Sequence, residues 1–428
     1  MRIPMILLAT TLLTACSGEG PTTVGGNAVA TGSGTTVGTT TTVDPYAEFV
    51  TPTKAKTYYG IGGAQVFDYN TDDRLCCQQQ AQTFAGHTST ARDSIIQISY
   101  DPREATFTLI VNDPLSGAAT TTRFQDPGSR TNFGGAKEPQ WGTSNLSNPN
   151  LRYLQAGDGN PLSPFDHSGT GAVNPGNNTT PPDGLTGSSY QSTTLFYEAP
   201  GSNTKYVGLA GFLRNSLSWK DIQVGNGITR STNWHLERGA FAYGLTTDNS
   251  AVPTLGSASY NGDLIGTMVF NPSFDGAYPS ADPAILPTYF QWLEGTAKTT
   301  VDFAKNTVAL ALSATTFGPI QDRYSFPTHP DRSPYPTAAL SSVGAGVTFI
   351  AAGKGSIDLI HNGGFFGSFQ SASFGSTRDG SPTALNIAGS SFDGAFYGPR
   401  ANEIGGGFHI AGGTPDQRID ILGGFTGK

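Results

Sequence analysis

The segment Gly389-Ser390-Ser391-Phe392-Asp393 is the nearest approach in this chain to a site for covalent catalysis. In the Gly-x-Ser-x-Gly motif of hydrolases, a sharp strand-to-helix turn exposes the serine hydroxyl for attack. Here Asp393 occupies the final glycine position, and the pattern that follows predicts a strand rather than a helix. The chain also lacks HExxH, P-loop and strand-following GxGxxG motifs. We expect no catalytic residue; a hydrolase built from dispersed side chains is an alternative.

The histidines give no metal site. No two of them stand at a spacing typical of metal ligands, so the sequence predicts neither a metal nor a cofactor. A haem ligand recruited from a loop histidine stays open. The six histidines are His87, His167, His235, His329, His361 and His409.

Other side chains suited to iron or glycoside chemistry have structural interpretations. The phenols of Tyr58-Tyr59, with Tyr46 nearby, are possible ferric ligands, but an aromatic pair at a strand edge is more typical of packing. The carboxylates of Asp72-Asp73, and of Asp101 with Glu104, lie in predicted turns, where aspartate forms local hydrogen bonds. Glycoside hydrolysis needs two carboxylates across a cleft, a separation that a sequence does not reveal.

The N-terminus has the pattern of a secretion signal, with a basic residue, an apolar run and small residues before Cys16. The run from Ile3 to Leu13 is about eleven residues long, whereas a bilayer span needs roughly twenty. Leu13-Thr14-Ala15-Cys16 resembles the lipobox of bacterial lipoproteins, which implies removal of residues 1–15 and a palmitate-bearing lipid on Cys16. Ser17 stands where an aspartate would favour inner-membrane retention, so we expect the outer membrane. An ordinary secretory signal with a chance cysteine is the alternative.

Lipidation of Cys16 leaves the adjacent pair Cys76-Cys77 among the three cysteines. Adjacent cysteines can close a strained vicinal disulfide, although neighbouring side chains of an extended strand point apart. Two half-buried thiols, or a disulfide to another chain, are the alternatives. This pair alone cannot hold a metal cluster.

Composition and charge limit the class of protein. Gly 56 and Pro 28 are high, charged residues make up 13% and aromatic residues 11%, as in a turn-rich β-protein. Residues 16–56 hold Cys16 and a Gly- and Thr-rich segment that is too poor in apolar side chains to order itself, so it is predicted to be a flexible tether. The formal net charge of −8 becomes about −9 without Arg2, which argues against nucleic acid and anionic lipid as partners.

Residues 57–235 are predicted to form a handle-like β-domain with long loops. Within Ser94 to Val111, two stretches alternate apolar and polar residues around the turn sequence DPRE, which predicts a β-hairpin with one buried face. The interval from Gly128 to Gly187 is crowded with Gly, Pro, Asn and Ser, so we expect long surface loops there.

Residues 236–428 are predicted to form an antiparallel barrel of about eight strands, because strand patterns recur every ten to twenty residues. Val301 to Leu312 predicts one of its hairpins. Glycine alternates with large side chains, as in Phe392-x-Gly394-x-Phe396, which suits the small-large filling of a tapered barrel interior. Ile404, Gly406, Phe408 and Ile410 would face inward together, and Glu403 could accept backbone hydrogen bonds in its turn.

The last 40 residues or so resemble a known family. Phe396-Tyr397-Gly398-Pro399, Ala401, Glu403 and Gly405-Gly406 with Phe408, and the terminal ILGGFTGK, are similar to the closing signature of the barrel domain of transferrin-binding protein B and its lipoprotein relatives. The resemblance covers about residues 236–428. It implies an all-β fold with one handle and one barrel, where the transferrin-binding members have two such units.

The resemblance implies a surface-exposed outer-membrane lipoprotein that binds a protein or an iron- or haem-bearing ligand without covalent chemistry, exported with the help of a translocon. The family's ligand contacts follow no motif that can be matched here, so the binding residues stay unassigned. The intervals 128–187 and 319–344, including the four-proline stretch Phe326 to Leu340, are the candidate contact loops. A structural or adhesive envelope lipoprotein without a soluble ligand is the alternative.

Overall fold

The computed structural model describes the fold from Tyr46 onward. Cys16, Cys76-Cys77 and most of the predicted contact loops lie outside the described residues, so the expectations about them remain predictions. The described ranges are 46–70, 88–89, 96–104, 106–112, 118–125, 146–157, 187–199, 201–270, 289–318, 320–321, 343–360, 363–375, 382–414 and 417–428.

The described part is built almost entirely of antiparallel strands. The first ten are β1 (Lys56–Tyr59), β2 (Ile61–Asn70), β3 (Thr88–Ser89), β4 (Ile96–Asp101), β5 (Thr106–Asn112), β6 (Ala119–Gln125), β7 (Leu151–Gly157), β8 (Gly187–Glu198), β9 (Val207–Val224) and β10 (Gly227–Gly244). The other ten are β11 (Ser257–Phe270), β12 (Tyr289–Asp302), β13 (Thr307–Thr316), β14 (Ile320–Gln321), β15 (Thr348–Asp358), β16 (Gly364–Phe374), β17 (Thr383–Ala384), β18 (Ile387–Tyr397), β19 (Glu403–Thr414) and β20 (Gln417–Gly427). Within these ranges, no helix is both long and apolar enough to cross a bilayer.

The N-terminal strands form a handle of two sheets. A four-stranded sheet has the order β1-β4-β5-β6, and a six-stranded sheet has the order β3-β2-β10-β9-β8-β7. The predicted hairpin is confirmed as β4 and β5, and its turn is held by the Asp101 carboxylate, which accepts from the backbone N–H groups of Arg103 and Glu104. Apolar residues of both sheets share one core, which also contains Phe49 from upstream of position 57.

The C-terminal strands form a closed eight-stranded barrel, so the predicted all-β handle and barrel are confirmed. Its strands follow the order β11-β20-β19-β18-β16-β15-β13-β12, and the β11–β12 pairing closes the circle. β14 and β17 are short additions at the margin. The boundary predicted at position 236 falls inside β10, which belongs to the handle, and the first barrel strand begins at Ser257.

The barrel interior is filled by side chains. Phe392, Phe396 and Phe408 are buried in it, facing inward as their alternation predicts. A Cβ atom on Gly394 would lie 2.1 Å from the Phe365 ring, so the missing side chain makes room for that ring. This small-large packing is the core of the barrel.

The handle packs on the outside of the barrel at a junction where glycines meet. A Cβ atom on Gly407 would lie 2.3 Å from the Gly62 Cα, and one on Gly405 would lie 2.6 Å from the Ala242 Cβ. The backbones of the two sheets therefore approach more closely than side chains would allow. The opposite face of β18, which carries Tyr397, also packs against the handle rather than facing solvent.

Charged groups fix the same junction. The Glu403 carboxylate accepts hydrogen bonds from the backbone N–H groups of Lys205, Tyr206 and Val207, at 2.7, 2.7 and 3.2 Å. Glu403 thus accepts backbone hydrogen bonds as predicted, but from the handle and not from its own turn. Arg238 of β10 is fully buried and donates to the Thr267 carbonyl and hydroxyl of the barrel, at 2.9 and 2.8 Å.

Gly407→Ala is expected to destabilise the protein, because the added methyl group overlaps the Gly62 backbone, which cannot move aside like a flexible side chain. Overpacking of this kind costs about 1–3 kcal/mol or more. The matched control is Gly389→Ala in the neighbouring strand, where nothing lies within 4 Å of the added Cβ. Thermal unfolding of both variants measures the effect, and equal midpoints would contradict the close packing at the junction.

Candidate functional site

Tyr58 and Tyr59, the adjacent tyrosines considered as iron ligands, lie on opposite faces of β1. Tyr58 points into the handle core, packs against Phe49 and Tyr243, and is 4% exposed, whereas Tyr59 points outward and is 60% exposed. Burial raises the pKa of Tyr58 to about 12, which disfavours the phenolate that ferric iron would need. Packing, as the sequence predicted, accounts for Tyr58, whereas Tyr59 is exposed.

The serine-rich segment lies in a strand. The predicted strand is confirmed as β18, and Ser390 uses its hydroxyl to join β18 to β16, with its Oγ 3.0 Å from the Phe369 nitrogen and 3.3 Å from the Phe369 oxygen. The hydroxyl therefore has a structural role at a place where the pairing of β18 with β19 shifts register between Ile387 and Gly389.

His409 is the histidine whose side chain the structure describes. Its Nε2 lies 3.0 Å from Oδ1 of Asp420, a fully buried carboxylate of the neighbouring strand. His235 lies in β10, and the remaining four histidines lie outside the described residues. Among the residues that are described, no group of three or more His, Cys, Asp or Glu side chains could hold a metal ion.

The two ends of the barrel differ in the length of chain that joins successive strands. At one end, residues 303–306, 359–363 and 398–402 make the connections. At the other end, β11 leads to β12 through residues 271–288, β13 to β15 through residues 317–347 and β16 to β18 through residues 375–386, whereas residues 415–416 alone join β19 to β20. We call these the short-turn end and the long-connection end.

The six-stranded sheet of the handle is aligned with the barrel, so that its own long connection leaves at the same end. Near the short-turn end Gly62 lies against Gly407, and three residues further along β2 Gln65 meets Arg238, which also contacts the Asp420 carbonyl. β2 therefore runs from the short-turn end of the barrel toward the long-connection end. The residues 158–186, which join β7 to β8, are therefore flanked by strand ends on that side.

The predicted contact loops can now be placed by the strands that flank them. The interval 128–187 contains a strand, β7, so it is not the continuous loop region that its composition predicts. The parts at 158–186 and 322–342 lie outside the described residues, but their flanking strands end on the same side of the molecule. What these loops contact stays a prediction.

A two-stranded ribbon projects at the long-connection end, and the sequence patterns did not single it out. β8 pairs with β9 only as far as Lys220, and β2 pairs with β10 only as far as Asn233. Within the described chain, residues 221–230 of β9 and β10 therefore pair with one another. A two-residue turn begins at Gly225, whose φ of 59° favours glycine. Val224 and Ile228, on opposite faces of the tip, are 56% and 59% exposed.

A polar surface lies on the outer face of the four-stranded sheet of the handle. It is a shallow depression of about 350 Å³ in which Thr57, Ser99, Thr108 and Arg123 stand in one row across four strands. The Thr57 and Ser99 hydroxyls are 2.7 Å apart. Buried apolar anchors dominate the energy of protein interfaces, and this row offers none, so the long-connection end is the better candidate for a protein partner.

Comparisons with known proteins return a likeness of fold. Neither a family model nor a curated protein sequence matches the chain. Solved structures that resemble it include transferrin-binding protein B of Haemophilus parasuis Hp5, at 14% identity over 87% of this chain and 76% of that chain, with a TM-score of 0.26. The same protein of serogroup B Neisseria meningitidis is 12% identical over 88% of this chain and 77% of that one, with a TM-score of 0.22.

Replacing residues 222–229 by Asn-Gly is expected to leave the fold intact, because the tip contributes no side chain to the described core. The free energy of unfolding should change by less than about 0.5 kcal/mol. Phe212→Ala is the control in the same strand, where the ring is fully buried and its removal should cost about 3–5 kcal/mol. Chemical denaturation measures both, and a loss from the shortened ribbon as large as that from Phe212→Ala would show that the tip packs on the core.

Proposed function

We propose that this protein captures an extracellular protein or iron-bearing ligand without covalent chemistry, using its long-connection end. The observation that carries the proposal is the convergence of handle and barrel strand ends on one side of the molecule. Long connections leave both the handle and the barrel on that side, and the exposed ribbon tip projects there as well. Together they are well placed to form one composite surface.

The filled barrel supports binding at the surface rather than in the interior. Thirty buried apolar residues form one continuous barrel core, which leaves the described interior packed rather than hollow. A barrel that carries a small molecule inside needs a cavity of some hundreds of Å³. The barrel therefore serves as a rigid platform for its connections.

The N-terminus supports attachment to a membrane. We propose that residues 1–15 direct export, that Cys16 receives the lipid, and that the following Gly- and Thr-rich tether holds the folded part away from the outer membrane, exposed at the cell surface. Delivery to that surface would require an export translocon. These steps rest on the sequence pattern and on its resemblance to a lipobox.

Cys16→Ala is expected to abolish incorporation of labelled palmitate and to leave the signal uncleaved at position 15, because lipid attachment requires the thiol. Metabolic labelling and mass spectrometry of the N-terminus measure both effects. Cys76→Ala is the control and should keep the label. Full labelling of the Cys16→Ala protein would place the lipid elsewhere.

A pull-down tests the binding function directly. Residues 16–428 carrying Cys16→Ser, immobilised through the N-terminus, are exposed to serum proteins and to haem compounds, and the bound species are identified by mass spectrometry. A saturable partner would support capture. If transferrin, haemoglobin, haem and all other serum components fail to bind, the structural envelope role becomes the better account.

For any partner so found, Val224→Asp with Ile228→Asp should weaken binding at least about tenfold, because a charge at a desolvated contact costs more than about 1.4 kcal/mol. The matched control is Leu255→Asp with Ile360→Asp, two side chains that are 78% and 89% exposed at the short-turn end. Titration measures both affinities. Equal weakening by the two pairs would contradict binding at the long-connection end.

Replacing residues 326–340 by a Gly-Ser linker of equal length tests the predicted barrel loop in the same way.

A further inference from the structure

Carboxyl groups from the handle and the barrel meet at one edge of their junction. Glu198 ends β8 of the handle and is 1% exposed, and Asp263 lies on β11 of the barrel. The Asn148 side-chain nitrogen lies 2.7 Å from Oε1 of Glu198 and 3.4 Å from Oδ2 of Asp263. The two carboxyl groups therefore share one amide donor and lie close to each other.

The surrounding amides are oriented as donors toward these carboxyl groups. Oδ1 of Asn148 accepts from the backbone N–H of Asn150 at 2.9 Å, which fixes the amide so that its nitrogen faces Glu198 and Asp263. Asn203 likewise donates to Asp263, while its own oxygen accepts from the Asn150 side chain. Because both amide oxygens are engaged, they are poorly placed as ligands for a cation such as Ca²⁺.

One oxygen in this group lacks a donor. Among the described atoms, Oε2 of Glu198 has no hydrogen-bond partner although it is buried. A buried carboxylate oxygen without a donor is costly, and a proton placed on it would turn it into a donor itself.

The charged and titratable neighbours do not offset the two carboxylates. Glu294 on β12 is a further acid, and its carboxylate accepts from the backbone N–H groups of Ser147 and Asn148 at 2.8 and 2.7 Å. Arg152 on β7 donates to the carbonyl groups of Pro149 and Leu151. Burial raises the pKa of the Tyr243 phenol on β10, and the neighbouring Glu198 contributes last among the charged groups around it.

We propose that Glu198 keeps a proton and donates it to the Asp263 carboxylate, so that the handle and barrel are joined by a contact that weakens when the proton leaves. Burial, followed by the nearby Asp263, raises the pKa of Glu198 well above its ordinary value. Deprotonation would place two adjacent negative charges across the junction. The contact is therefore tight in mild acid and loosens as the pH rises.

The sign of the effect follows from proton linkage. A carboxyl group whose pKa is raised by folding binds its proton more tightly in the folded state, so it stabilises the fold below the unfolded pKa and loses that contribution as the pH rises through the folded pKa. Between these two values, one proton changes the unfolding equilibrium constant by up to about tenfold per pH unit.

Chemical denaturation of residues 16–428 carrying Cys16→Ser, from pH 5 to pH 9, tests the proposal. The wild-type junction should lose stability with rising pH, and Glu198→Gln, which carries a permanent donor, should reduce that dependence. Asp263→Asn should act likewise and serves if the first variant does not fold. Glu294→Gln is the control and should lower stability while leaving the pH dependence unchanged.

Hydrogen exchange measured at equal pH locates the effect. At pH 8, residues 146–151 and 199–205 should exchange faster in the wild type than in Glu198→Gln, while the barrel hairpin β12–β13 exchanges equally in both. Equal pH dependence of wild type and Glu198→Gln would overturn the proposal. It would also be overturned if millimolar Ca²⁺ stabilised the wild type but neither variant, because the pair would then be a cation site.

Discussion

The fold depends on a contact between backbones. At Gly62 and Gly407, the handle and the barrel touch where neither has a side chain, and a methyl group on Gly407 would overlap the partner strand. This proximity brings the Arg238 guanidinium to the Thr267 and Asp420 carbonyl groups and the Glu403 carboxylate to the handle backbone. Close packing at the glycines is therefore the condition for these polar contacts across the junction.

The polar contacts in turn fix the position of the handle on the barrel. Apolar surfaces can slide over each other at little cost, whereas a carboxylate that accepts three backbone N–H groups holds one registry only. Glu403 supplies that registry at the short-turn end, and Arg238 supplies it near the middle of the sheet. Because the contact is fixed at two places, the strand ends of handle and barrel stay aligned at the long-connection end.

Local patterns predicted the strands well and the junction poorly. Alternation at Ile96–Asp101, Thr106–Asn112 and around Phe392 depends on neighbours two residues apart, which a sequence displays directly. Glu403, in contrast, bonds to residues nearly two hundred positions upstream, and nothing in its own turn reveals this partner. The alternation predicts that Gly406 faces the barrel interior, but no local pattern reveals that Gly405 and Gly407 make room for the handle. β7 was missed because its surroundings are rich in Gly, Pro and Asn. The ribbon tip has no pattern that separates it from any other hairpin.

The barrel closes between its first and last strands, with β11 paired to β20 and the Asn261 and Lys428 backbones exchanging hydrogen bonds of 3.0 and 3.1 Å. The circle can therefore form only once β20 is present, because residues 419–425 supply the strand that pairs with β11. Such distant pairing makes folding slow relative to local hairpin formation. Until β20 has paired with both of its neighbours, the sheet stays open. Loss of β20 would therefore leave β11 and β19 with unpaired strand edges.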